Sequence, residues 1–132
     1  MKFMLLMNAP HGTGDYEIFH WPEADLKAHV GFLTRLNAEL KAAGELVGVE
    51  ALTPPGKARV IRAGKNGTPE VTDGPFAESK EFLAGYWIVD VASPERAYAI
   101  AARASGAPGR GGAPLNMSIE VREVMSAPPV EG

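Results

Sequence analysis

Two side chains in this sequence are of the right type and setting to move a proton, Asp73 and His29. Asp73 heads the run Asp73-Gly74-Pro75-Phe76, which lies between two apolar stretches. Asp hydrogen-bonds its own backbone, Gly supplies conformational freedom and Pro fixes the next φ, so this run reads as a rigid turn. A carboxylate held there can act as general acid, general base or ligand-orienting group. The same residues also suit a turn whose Asp binds only nearby backbone N–H groups, and both readings stand at this point. His29 lies three residues after Leu26 and four before Leu33, inside an apolar helical stripe. An imidazole there is an acid–base or ligand-orienting group, or a core histidine satisfied by a backbone carbonyl.

Around these two, Gly74, Pro75, Phe76, Lys80, Tyr86 and His11 are candidate substrate-binding residues. Lys80 would anchor an anion, although with Glu78 it also fits a solvated face. Phe76, Tyr86, Trp21 and Trp87 can line an apolar slot or fill a core. His11, His20 and Asp15 lack the tight spacing of a metal site, so no metal is expected. Gly106 to Gly112 is glycine-rich but lacks the Gly-Lys-Ser/Thr ending of a phosphate loop. It reads as a flexible loop carrying one exposed Arg110, and no cofactor is expected.

These residues must be positioned by a regular alternation of elements. Lys2–Met7 reads as a strand with Phe3, Leu5 and Met7 on one face and Met4 and Leu6 on the other. Pro22 at a first helical position, with Glu23 and Asp25 in the first turn, opens a helix to about Ala43 that Gly44 closes. Its stripe is Leu26, Val30, Leu33, Leu36 and Leu40. Glu45–Leu52 is a second strand. Ala58–Arg62 and Glu70–Thr72 form a hairpin around Gly64-Lys65-Asn66-Gly67, whose Asn-Gly pair suits a tight turn. Gly85–Val91 is the clearest strand. Ser93-Pro94-Glu95 starts a helix to about Ala104, and Asn116–Val124 is a last strand.

The order β-α-β, hairpin, β-α-β predicts a ferredoxin-like α+β sandwich with an antiparallel sheet and both helices on one face. Residues 1–125 form one domain in this reading, with 126–132 a frayed tail. Tyr86 and Ile88 lie opposite Trp87, Val89 and Val91, so this strand too is apolar on both sides. Two helices cover one face of such a sheet and leave an apolar patch on the other. A homodimer, sheet against sheet, is therefore expected.

Composition narrows the partners. Net charge is −3 and the 13 basic residues form no stripe, which argues against a nucleic-acid binder. Cysteine is absent, which removes disulfides and thiolate chemistry. The opening apolar run ends at Asn8-Ala9-Pro10, too short for a signal-peptide core or a membrane span. A cytoplasmic location without membrane association is expected.

Asp73-Gly74-Pro75-Phe76 with Glu78-Ser79-Lys80-Glu81 resembles the DGPF branch of the YCII-related family. The resemblance implies membership of the dimeric α/β-barrel group, whose isomerases, dehydrochlorinases and monooxygenases act on small cyclic substrates without a bound cofactor. It also implies a second possibility, because DGPF relatives resemble accessory proteins found beside alternative (ECF-type) sigma factors. Other YCII-related members resemble one another in pairing a helix His with a later Asp. Counting back from Gly44 puts that helix position at about Leu33, and Ser105-Gly106-Ala107-Pro108 offers no Asp, so that pair is not carried over. The expected function is a homodimer binding a small molecule near Asp73, with Asp73 and His29 as acid–base groups of a cofactor-independent lyase or isomerase. A regulatory or ligand-sensing accessory protein is the alternative.

Overall fold

The computed structural model describes residues 1–10, 18–74 and 81–125, with Phe19 described through its main chain alone. The expected tail 126–132 lies outside the described residues. The elements are β1 (Lys2–Pro10), α1 (Glu23–Ala42), β2 (Leu46–Ala51), β3 (Arg59–Ala63), β4 (Pro69–Asp73), β5 (Glu81–Asp90), α2 (Pro94–Ser105) and β6 (Ile119–Glu123). Four strands form one antiparallel sheet in the order β2-β5-β1-β6, while β3 and β4 form a separate two-stranded sheet among the described residues. This is the ferredoxin-like α+β arrangement, with a hairpin inserted between β2 and β5.

The two helices lie on the sheet face built by Phe3, Leu5, Met7 and Ala9 of β1 and Trp87 and Val89 of β5. All six are buried. Leu5 sits opposite Trp87 on one side and Val121 on the other, at the centre of the layer. From the helices come Leu36 and Leu40 of α1 and Ala97, Ile100, Ala101 and Ala104 of α2. Trp87 donates its indole N–H to Asn37 Oδ1 at 2.8 Å, which satisfies the buried ring's one polar atom.

The helix boundaries have identifiable causes. Pro22 is the N-cap residue of α1 and not its first helical position, with an extended ψ of 142°. At the other end Gly44 takes a φ of 73°, its N–H binds Lys41 O, and the Glu45 N–H binds Leu40 O. That pair of bonds is a Schellman motif, which only a residue comfortable in the left-handed region closes without strain. Ser93 Oγ accepts the Arg96 N–H at the start of α2, as its sequence predicts. Arg96 then grips Glu45 through two bonds of 2.8 and 2.9 Å, tying the start of α2 to the exit of α1. The guanidinium holds the Glu45 carboxyl below its ordinary range.

Val30 departs from the expected stripe. It is half-exposed, whereas His29 is buried, so the inward line of α1 runs His29, Leu33, Leu36, Leu40. Adjacent helical residues differ by about 100° in direction, and burying His29 turns Val30 away. The opposite sheet face carries Met4, Leu6, Tyr86 and Ile88, all half-buried, and Leu83 at its margin. No helix of the described residues covers it. Leu5→Ala should destabilise the protein by about 3–4 kcal/mol, read from urea-induced unfolding, because the site is fully buried on three sides.

Candidate functional site

His29 is the one buried polar or charged side chain among the described residues, 4% exposed. Its Nδ1 lies 3.0 Å from the Pro108 carbonyl oxygen, and Trp21 meets the ring edge-on at 5.4 Å between centroids. A carbonyl only accepts, so Nδ1 carries the proton and Nε2 of the neutral ring is left with its lone pair. Burial pushes the imidazole below its ordinary value of 6.5, and the bond to Pro108 partly opposes that shift. The ring is therefore a neutral base of fixed tautomer, and it also pins the loop after α2.

That loop is held at a second point, where Asp25 Oδ2 accepts the Gly111 N–H at 2.9 Å. Within it, Gly109 N–H binds Ala113 O and Leu115 N–H binds Ala107 O. The glycine-rich stretch expected to be a flexible loop is thus a folded strap fastened to the first half of α1, with Arg110 exposed. Its continuation forms the wall of a cleft of about 190 Å³. Leu115 and Met117 supply apolar lining, and Asn8, Glu81, Asn116 and Ser118 bring polar groups to it. Asn116 adopts a φ of 52°, the left-handed region that Asn tolerates better than most residues. On β1, Asn8 and Pro10 continue the Met4–Leu6 row, so the cleft opens at one end of the uncovered sheet face.

Asp73 occupies different surroundings. It ends β4 on the inserted hairpin, with its side chain 94% exposed and Oδ1 3.6 Å from Arg59 Nε. Gly74 follows, its N–H bound to Ala58 O, and a Cβ added there would lie 3.0 Å from Val60 Cγ2. Asp73 and His29 therefore have separate immediate partners on separate elements. Tyr86 is half-buried on the uncovered face, opposite Leu6. Trp21 and Trp87 are core residues. Pro75, Phe76, Lys80 and His11 lie outside the described residues.

Asn8, Asn116 and Ser118 escaped sequence reasoning because each is an ordinary polar residue in a strand or loop. The left-handed backbone at Asn116 has no counterpart in composition. Pro114 shortly before it is the only local signal of a bend.

With the fold and these sites in view, the protein belongs to the ferredoxin-like α+β class. Comparison with family models assigns residues 1–110 to the YCII-related domain, and the chain belongs to that family. It is also 32% identical over 111 residues to an uncharacterised protein of Rhizobium meliloti (strain 1021), covering 84% of this chain and 85% of that one. No helix among the described residues is long and apolar enough to cross a membrane.

The lowered pKa of His29 fixes a sign for the pH response. The unfolded chain takes up a proton near 6.5, where the folded protein still resists it. This contribution to stability is complete above that value and is lost as pH falls towards the lowered folded value. His29→Gln keeps a donor for Pro108 but does not titrate. The stability advantage of the wild type over this variant should shrink between about pH 7.5 and about pH 5 in thermal melts.

Proposed function

We propose that this YCII-related protein is a homodimer, joined through the uncovered sheet face, that binds a small molecule at the end of that face. The observation that carries the reading is a cleft lined by four polar residues, Asn8, Glu81, Asn116 and Ser118, beside the apolar row Met4, Leu6, Tyr86 and Ile88. Ligand sites combine an apolar lining with a few fixed polar groups in this way, and usually enclose about 300–1,000 Å³. The cleft of one chain falls short of that range. A second copy laid over the sheet would deepen it and also shield Met4, Leu6, Tyr86 and Ile88 from water.

In the acid–base form of this reading the protein is a cofactor-independent lyase or isomerase. His29 supplies a neutral imidazole whose Nδ1–H is already oriented by Pro108, which leaves Nε2 as the proton acceptor. Asp73 supplies a carboxylate that is 94% exposed in one chain, and its role requires that something cover it and keep water away. Gly74, Pro75, Phe76, Lys80, Tyr86 and His11 remain binding candidates in this scheme. A second reading rests on residues 72–81, whose resemblance to the DGPF branch suggests a regulatory accessory of an alternative sigma factor.

Sedimentation equilibrium tests the dimer, and a monomer at every concentration would remove the reading. Crystals soaked in a metabolite mixture should show density against Asn8, Asn116 and Ser118. Once a ligand is identified, Asn116→Ala should weaken its binding about ten-fold or more in calorimetry. Asp73→Asn should abolish turnover in an enzyme without loss of fold, and should change affinity only a few-fold in a binder. Stable co-purification with a sigma factor, with no density in the cleft, would favour the second reading.

A further inference from the structure

Among the described residues the inserted hairpin joins no third strand. Strands β3 and β4 pair in the register Arg59–Asp73, Val60–Thr72, Ile61–Val71, Arg62–Glu70 and Ala63–Pro69. Of these ten residues nine are exposed and Val60 is half-buried. An isolated two-stranded hairpin is marginal in water and gains independent stability from a third strand or a packed face. The local design is nonetheless careful: Asn66 and Gly67 take φ of 58° and 74° at the tip, which is the geometry of a type I′ turn.

The two faces of the hairpin differ. Arg62, Glu70 and Thr72 share one with Val60. The other carries Ile61, Val71, Ala63 and Pro69, with the Arg59–Asp73 ion pair at its base. Ile61 and Val71 are 55% and 59% exposed, an apolar cross-strand pair with nothing upon it among the described residues. The hairpin leaves the sheet at the end where Ala51 pairs with Gly85 and Glu81 pairs with Pro10, which is the cleft end.

We infer that this hairpin is an intersubunit arm: its Ile61–Val71 face lies on the uncovered sheet of a second copy and delivers Asp73 and Arg59 to that copy's cleft. The inference rests on the homodimer reading and adds the arm to it. Charge supports the occupant. The arm and its base carry Lys57, Arg59, Arg62 and Lys65 against Glu70 and Asp73. The uncovered sheet carries Glu50 and Glu120 on either side of the Leu6–Tyr86 pair and Glu81 at its cleft end, with Arg122 3.5 Å from Glu120. A cationic arm thus meets an acidic rim. Length agrees as well, since a five-residue strand extends about 17 Å and four strands span about 14 Å from edge to edge. Two arms crossing about one two-fold axis make a closed, self-complementary interface. Asp73 then enters the shielded surroundings that acid–base work requires, in the partner's cleft and not in its own.

The chain has no cysteine, so paired cysteines report the contact directly. Val71→Cys protein mixed with Leu6→Cys protein under mild oxidation should give a band of twice the chain mass. Val71→Cys mixed with Val30→Cys, on the exposed side of α1, should not, because a disulfide needs α-carbons within about 7 Å. Ile61→Glu should weaken dimerisation about ten-fold or more while leaving the circular dichroism spectrum unchanged, since the side chain is exposed in one chain. A dimer that lacks the Val71–Leu6 cross-link, or that Ile61→Glu leaves intact, overturns the arm and spares the dimer. A protein that sediments as a monomer overturns both.

Discussion

The pairing of β1 with β5 governs the rest of this molecule. Each strand presents apolar side chains to both faces of the sheet, Phe3, Leu5 and Met7 against Met4 and Leu6, and Trp87 and Val89 against Tyr86 and Ile88. A sheet with one wet face reads as alternating apolar and polar residues, and this pair does not. The helices α1 and α2 remove one surface from water with Leu36, Leu40, Ile100 and three alanines of α2. The energy of the fold is concentrated there, at fully buried positions such as Leu5 and Val89. No helix among the described residues covers the other surface.

The helix side also controls the candidate chemistry. His29 takes an inward position that an aliphatic residue would otherwise hold, and its hydrogen bond runs to a carbonyl of the strap after α2. The bond fixes the tautomer, and the strap it secures runs on through Leu115 into the cleft wall. Histidine thus joins the helix layer to the cleft end of the sheet. The second fastening, from Asp25 to Gly111, makes the strap resist rotation about a single contact.

Much of this was legible in the residues. Alternation in β1, β5 and β6, the Ser93-Pro94 helix start, the closing Gly44 and the Asn66-Gly67 tip each rest on local stereochemistry, and each appears within a few residues of its expected place. The burial of His29 followed from its spacing to Leu26 and Leu33. Val30 was misread because helical spacing admits two neighbouring stripes, and only packing chooses between them. The fastening of residues 106–116 was illegible for a different reason. Its partners are Asp25 and His29, about eighty positions away in sequence, and main-chain groups leave no trace in residue type. The cleft shares that difficulty, since Asn8, Glu81 and Asn116 come from three distant segments.

The place of the hairpin in the chain has one more consequence. It is spliced into a connection between neighbouring antiparallel strands, where both ends return to nearly the same point. Loop-closure entropy grows only slowly with length, so such an appendage can be extended, trimmed or recoloured with charge without disturbing the layers beneath. Some fifteen surface residues can thus change while the hydrophobic interior stays untouched.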